Sequence, residues 1–362
     1  MSLGQVFPEQ YQQQLDAKAA ELRTLMAPFN APEPEVFASP AEHYRMRAEF
    51  RIWHEGDDLF YAMFEPGDKR APVRIDQCRM VSSTIEDCMF PLLDAIRADE
   101  LLRRRLFQID FLSTTTGELL VTLIYHRPLD AAWEQAARDL QRSLGLEIIG
   151  RSRKSKIVLA RDWVEERLPI AGRELRYQQV ENSFTQPNAS ISMAMLSWAR
   201  AAVAGVGRDL LELYCGNGNF TVALSDLFDR VLATEISKSS VNSALFNLEL
   251  NQVTNVAIAR LSSEEFTQAM NREREFRRLR HIDLDDYDFG TVLVDPPRAG
   301  LDPGTEALVQ RFERILYISC NPETLAGNLG TLCQTHRVER LALFDQFPYT
   351  AHKECGVWLV RK

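Results

Sequence analysis

A thiol set where a buried strand opens into a loop can attack a bound substrate, and one stretch of this chain offers that placement. Residues 315–319 (ILYIS) are mostly apolar and rich in β-formers, and the chain then breaks into Cys320-Asn321-Pro322. Such a run reads as a strand buried on both faces. In an open α/β sheet its carboxyl end is where ligands bind. Cysteine is also among the most buried residue types and commonly just packs, so its neighbours decide the matter.

Glu212-Leu213-Tyr214-Cys215-Gly216-Asn217-Gly218-Asn219-Phe220 runs from a strand into Gly-Asn-Gly, where absent Cβ atoms let the backbone pass close to a ligand. The third small residue of a dinucleotide fingerprint is replaced by Thr221, which argues against a pyrophosphate cradle. Glu235 ends the next strand about 20 residues on, where an acid accepts both ribose hydroxyls of a nucleoside. An adenosine without a diphosphate, such as adenosylmethionine, fits both features. Asp295-Pro296-Pro297-Arg298 ends a further strand of the same half. Its prolines fix the backbone and leave carbonyls without competing donors, so that a substrate base can be held there. Methyltransferases for exocyclic amines carry a similar Asp/Asn-Pro-Pro followed by an aromatic residue, a place taken here by Arg298.

Methyl transfer from a sulfonium to an amine needs no covalent enzyme intermediate. Transfer to C5 of a pyrimidine does, because that carbon is barely nucleophilic in the intact ring. A thiolate adding to C6 makes C5 an enolate carbon, and a base must later take the C5 proton so that the thiol can leave. Cys320 supplies the thiol, with Arg298 as a nearby cation to favour the thiolate. Glu354, in Ala351-His352-Lys353-Glu354-Cys355-Gly356, is the favoured base and Asp295 its rival. Two other readings compete. One is an amine methyltransferase in which Cys320 is structural, the other an RNA-binding or RNA-folding protein on a vestigial fold.

The elements that must position these groups are legible in outline. Strand candidates Leu210–Tyr214, Val231–Glu235, Asn255–Ala259, Thr291–Val294 and Ile315–Ser319 alternate with helical stretches such as Ser240–Leu250 and Thr305–Arg311. Residues 340–346 and 356–361 close as a hairpin. This predicts a doubly wound, seven-stranded, mostly parallel sheet, the Rossmann-like layout of methyltransferases that use S-adenosylmethionine. The first half differs. Helical periodicity over 10–27 precedes Pro28, Pro32, Pro34 and Pro40, a stiff connector. From Tyr44 to Ile52 apolar residues alternate with Arg45, Arg47, Glu49 and Arg51, a half-buried strand with a largely basic outer face. Leu59–Phe64 returns as its hairpin partner. Helices near 83–103 and 130–144 interleave with further short strands, an α+β pattern with an antiparallel sheet. The expected division is residues 1–178, whose first 40 are helix and connector, and residues 179–362, the α/β catalytic domain.

Net charge is −9, which argues against binding nucleic acid by bulk electrostatics. Local runs permit it: Arg151 to Lys156, Arg103-Arg104-Arg105 and Arg277-Arg278-Leu279-Arg280. Six cysteines without any C-x-x-C pair suggest neither a metal site nor an iron–sulfur cluster. No stretch approaches the roughly 18 apolar residues of a membrane span, and the N-terminus lacks signal-peptide features. A soluble, cytoplasmic monomer is expected.

ELYCGNGNF, DPPR, ISCNPET and FDQFPYTAHKECG, with HYRMRAEFRIWH and VENSFTQPN, make the chain resemble the bacterial tRNA (uracil-5-)-methyltransferases over essentially its whole length. The resemblance implies a class I, S-adenosylmethionine-dependent enzyme that makes ribothymidine in the T-loop of tRNA. Cys320 is then the nucleophile and Glu354 the base, with a cofactor site from Gln186, Tyr214, Asn219, Glu235 and Asp295. The first region becomes RNA-binding, gripping the T-arm by shape and phosphate contacts through Arg45, Arg47 and Arg51, with Arg298 beside the flipped-out uridine. Related ribosomal-RNA enzymes often carry an oligonucleotide-binding barrel or a cysteine-ligated cluster. Neither is expected here, which favours tRNA over another RNA with a T-loop-like fold.

Overall fold

The computed structural model describes residues 4–65, 67, 68 and 70–362, and the chain divides into two compact units. The first holds the residues up to Pro8, Pro40–Arg167 and Gln178–Ala189. The second holds Glu9–Ser39, Leu168–Tyr177 and Ser190–Lys362. The division therefore departs from a single boundary at 178. Helix α1 (Tyr11–Met26) buries Tyr11, Leu15, Ala19, Leu22 and Met26, the period read from the sequence, but it does so within the second unit. Strand β1 (Glu35–Phe37), inside the proline-rich connector, also belongs there.

In the first unit β2 (Arg47–Glu55), β3 (Asp58–Phe64), β4 (Pro72–Arg74), β5 (Leu106–Ser113), β6 (Leu119–Tyr125), β7 (Glu147–Ser152) and β8 (Ser155–Val158) form one sheet. Its order is β4-β3-β2-β5-β6-β7-β8. Only β6 and β7 run parallel, and a parallel step needs a crossover. Helices α2 (Ser83–Ala98), α3 (Glu100–Arg103) and α4 (Ala131–Leu144) complete the unit, α4 making that crossover. Phe50, Tyr61, Ile85, Met89, Phe111 and Trp133 centre the core.

A ribbon of β9 (Trp163–Ile170) and β10 (Arg173–Val180) follows. It escaped the sequence reading because its apolar alternation is broken by Glu165 and Glu166, both buried in β9.

After α5 (Ala189–Ala202) come β11 (Asp209–Leu213), α6 (Asn219–Leu224), β12 (Val231–Thr234), α7 (Lys238–Leu250), β13 (Val256–Ala259) and α8 (Ser263–Met270). Then follow β14 (Phe289–Val294), α9 (Pro303–Val309), β15 (Arg314–Ser319), α10 (Pro322–Leu332), β16 (His336–Phe344) and β17 (Glu354–Arg361). The sheet order is β1-β16-β17-β15-β14-β11-β12-β13. The seven expected strands are present, and β1 adds an eighth, parallel to β16 with Val36 opposite Leu343. Leu213 lies opposite Thr234 on one side and Val294 on the other, and Val294 opposite Tyr317. The carboxyl ends of β11, β12, β14 and β15 thus share one edge. Antiparallel β17 begins at that edge, with Cys355 opposite Ser319 and Glu354 opposite Phe344. Strand order reverses between β14 and β11, the switch point where such sheets open a ligand crevice.

Candidate active site

Cys320 is the first residue beyond β15, half-buried, in a turn closed by its neighbours. Ser319 Oγ accepts the Asn321 N–H at 3.1 Å and donates to the Asn321 carbonyl at 3.0 Å. Asn321 Nδ2 and Thr324 Oγ1 both donate to the Arg298 carbonyl, at 3.1 and 3.2 Å. The thiol's turn is thereby stitched to the Asp-Pro-Pro-Arg loop. Gly300 closes that loop at φ +77°, where a Cβ would stand 2.6 Å from Asn328 Oδ1. Asn328 Oδ1 in turn accepts the Leu301 N–H at 3.0 Å and the Tyr317 hydroxyl at 2.7 Å.

Glu354 opens β17 and is 5% exposed. Burial pushes its carboxyl well above the ordinary range, and the charge of Asp295 pushes it further. Burial raises Asp295 as well. Cys320 is raised by burial and then by Glu354 and Asp295, while Arg298 pulls it down. Arg298 therefore acts in the expected direction but is outweighed, and the resting thiol is not primed as thiolate. Thiol and carboxyls lie within mutual electrostatic reach, so ionisation of one opposes ionisation of the others.

A second set of contacts lies at the carboxyl ends of β11 and β12. Tyr214 directly follows β11 with φ 63°, a left-handed conformation that non-glycine residues hold only where surroundings enforce it. Its hydroxyl donates to Ser263 Oγ at 2.7 Å. Gly218, at φ 81°, starts α6, and a Cβ there would come to 3.3 Å of Ala244 Cβ. Glu235 Oε2 accepts the Gly216 N–H at 3.0 Å and Oε1 the Ser237 N–H at 2.7 Å. A carboxylate has about four lone-pair sites, so acceptor capacity remains for two hydroxyls. The Asn219 carbonyl accepts the Tyr177 hydroxyl at 3.0 Å, whereas its Nδ2 is buried without a hydrogen-bond partner.

Glu212 was missed by the sequence reading. It is 1% exposed in the middle of β11, its Oε2 has no hydrogen-bond partner, and burial, then the charge of Asp295, raises it to about 8. The signal was available as a carboxylate set between the leucines of the buried strand Asp-Leu-Leu-Glu-Leu.

The remaining expected residues fall in the first unit. Gln186 lies in Gln178–Ala189. Arg45 precedes β2, in an isolated bridge with Val81, so the strand itself carries only Arg47 and Arg51. Arg47 donates to the Ser183 carbonyl and stands among Glu49, Asp110 and Glu181. Arg51 is exposed, its guanidinium 3.3 Å above the Phe107 ring, which itself stacks on His126 at 3.8 Å. Among the described residues no His, Cys, Asp and Glu cluster could hold a metal ion, and no helix is long and apolar enough to cross a membrane.

A Rossmann-like sheet with a glycine turn and an acidic residue at its switch-point edge is the layout of methyltransferases that use S-adenosylmethionine. The family described as tRNA (Uracil-5-)-methyltransferase matches residues 10–362, and the chain belongs to it. It is 56% identical over 361 residues to the tRNA/tmRNA (uracil-C(5))-methyltransferase of Saccharophagus degradans, covering 99% of each chain. With the protein of that name from Stutzerimonas stutzeri, identity is 57% over 362 residues, covering 100% of each. Among solved structures, the Pyrococcus abyssi tRNA (uracil-54, C5)-methyltransferase in complex with S-adenosyl-L-homocysteine superposes with a TM-score of 0.74 at 22% identity. That match covers 97% of this chain and 83% of the other, and it supports the fold.

Proposed function

We propose that this methyltransferase methylates C5 of the T-loop uridine of tRNA, giving ribothymidine, through a covalent bond between Cys320 Sγ and C6 of the base. The observation that carries this reading is that Cys320 follows β15, Asp295 follows β14 and Glu354 opens β17 at one sheet edge. An amine substrate would need no such thiol, whereas C5 of a pyrimidine requires both thiol and base. S-adenosylmethionine supplies an electrophilic methyl group when bound. Glu235 would hold its ribose. Asn219 Nδ2 and Glu212 Oε2, buried without hydrogen-bond partners, suit a carboxylate and an ammonium, the groups at its amino-acid end. Tyr214, Asp295 and Gln186 complete the set.

Cys320 loses its proton and adds to C6, placing negative charge on C5 and O4 of the ring. Once C5 carries the methyl group it still holds its hydrogen. Glu354 removes that proton, the electron pair re-forms the C5–C6 double bond, and Sγ departs. A raised carboxyl is a stronger base once ionised, which suits a carbon acid. Arg45, Arg51 and Arg298 would face RNA phosphates, with Arg47 of the same basic segment held among Glu49, Asp110 and Glu181, and the enzyme would work as a cytoplasmic monomer. The relatives' names include tmRNA, which favours a second substrate bearing the same loop.

Incubation with unmodified tRNA and methyl-labelled cofactor, followed by nucleoside analysis, should yield ribothymidine at one T-loop position. Glu354→Gln should leave protein covalently attached to methylated RNA, and Cys320→Ala should form no adduct. Methyladenosine or methylguanosine as the product would overturn the reading.

A further inference from the structure

Helix α1 and the loop that leads to Glu354 are joined by side chains at helical spacing. Tyr11, Gln14, Lys18 and Glu21 follow one another along α1 at steps of three and four residues, so they share a face. Lys18 Nζ donates to Asp345 Oδ1 at 2.6 Å and to the Phe347 carbonyl at 2.9 Å. Gln14 Nε2 donates to Asp345 Oδ2 at 2.9 Å. The Tyr11 ring meets Tyr349 edge-on with centroids 6.0 Å apart, and Glu21 Oε2 pairs with Lys353 Nζ at 2.6 Å. Asp345 directly follows Phe344, the residue opposite Glu354, and Lys353 directly precedes Glu354. One helix face thus grips both ends of the loop that spans residues 345–353.

The two grips differ. Lys18 and Asp345 expose 6% and 0% of their side chains, whereas at the second grip Lys353 exposes 11% but Glu21 66%, so that pair reaches solvent on its Glu21 side. A cavity of about 510 Å³ lined by Leu22, Leu25, Pro322, Glu323 and Lys353 lies at the second grip. An exposed pair is worth little, but a buried charge stripped of its partner is strongly disfavoured. Cys320 has fastenings of its own, through Ser319, Asn321 and the Arg298 carbonyl, besides the pairing of Ser319 with Cys355.

We infer that α1 is the positioning element for the base: the buried Lys18–Asp345 pair fixes the end of the β16–β17 hairpin so that the Glu354 carboxyl meets the C5 proton. The inference rests on the assignment of Cys320 and Glu354 above. Proton removal demands contact at hydrogen-bond range, and misplacement by about 1 Å can cost a factor of about 100. Loss of the pair therefore slows resolution of the adduct more than its formation.

The full-length protein with tRNA tritiated at uridine C5 and a methyl-labelled cofactor separates the two steps. Methyl incorporation reads transfer, and tritium release to water reads the base. For Lys18→Met, methyl transfer in a single turnover should stay within about threefold of the unaltered protein. Tritium release should fall by about tenfold or more, and the methylated adduct should accumulate on a denaturing gel. Lys18→Arg should restore release, and Glu21→Gln should behave like the unaltered protein. Should Lys18→Met fail to fold, Asp345→Asn, which keeps the side-chain shape, is read by the same criteria. A parallel fall of both steps, or unchanged tritium release, overturns the positioning role. Glu354→Gln runs alongside: if it traps no adduct, the base assignment fails and this inference with it. If it traps while the Lys18 and Asp345 variants do not, the positioning role alone falls.

Discussion

At the scale of single residues, the site is governed by where protons rest. The Cys320 thiol is raised by burial and by the carboxyls facing it, and lowered by Arg298. Thiolate therefore forms only as pH rises. Alkylation of Cys320 in the enzyme without RNA, followed by peptide mass analysis across pH, should show this directly. Asp295→Asn removes a like charge and should move the midpoint to lower pH, whereas Arg298→Gln should move it upward. Midpoints that stay together would mean the groups do not sense one another. Glu212 gives a second readout. Its carboxyl is held at about 8 against an ordinary 4.5, so the folded protein keeps a proton that the unfolded chain has shed. The stability this contributes is present below about 4.5 and is lost as pH climbs through about 8. Cofactor-free Glu212→Gln should escape that loss, so its melting temperature should fall less than that of the unaltered protein over this interval. The difference is on the order of a few kcal/mol. Parallel curves would show that Glu212 does not carry the proton.

At the scale of elements, close packing sets what can change. Gly150 in β7 faces Trp133 of α4, and a Cβ there would lie 2.1 Å from the indole ring. Gly150→Ala should destabilise the first unit by about 1–3 kcal/mol or more, seen as a lower urea midpoint. An unchanged midpoint would mean that the ring has room to swing away. The same logic explains what the sequence disclosed. Cys320, Glu235 and Asp295 were legible because each stands at the end of an apolar run, and strand ends in a parallel sheet converge. Glu354 was reached through chemistry, since a thiol adduct at C6 leaves a proton to remove. The face of α1 was readable from its period, but periodicity tells which side is buried and not against what, so its membership of the second unit was hidden. Strand β1 was hidden for another reason. It has three residues flanked by prolines, and its pairing is supplied by β16, some 300 positions away (Val36 opposite Leu343). Glu212 was passed over because a buried strand is read by its apolar majority.

At the scale of the whole molecule, a net charge of −9 must coexist with an RNA polyanion. Much of the cationic sequence is already neutralised. Arg151 is held by Glu181 through two bonds of 2.6 Å, Lys156 pairs with Asp162 at 2.6 Å, and Arg278 with Glu265 at 3.3 Å. Counting arginines along the chain therefore overstates what RNA can meet. Arg47 and Arg51, which share a strand, illustrate the difference. Arg47 stands among Glu49, Asp110 and Glu181, while Arg51 lies exposed over Phe107. Binding of tRNA measured across salt concentrations should separate them. Arg51→Gln should weaken binding and reduce the slope of log affinity against log salt by about 0.7–0.9, the loss of one phosphate contact. Arg47→Gln should leave that slope nearly intact and instead lower the melting temperature, because its departure removes a cation from beside Glu49 and Asp110, while Glu181 keeps Arg151 and Lys156. Equal loss of slope in both variants would mean that Arg47 exchanges its carboxylates for phosphates when RNA arrives. An unaltered slope in Arg51→Gln would mean that the exposed arginine of β2 does not lie on the path of the RNA backbone.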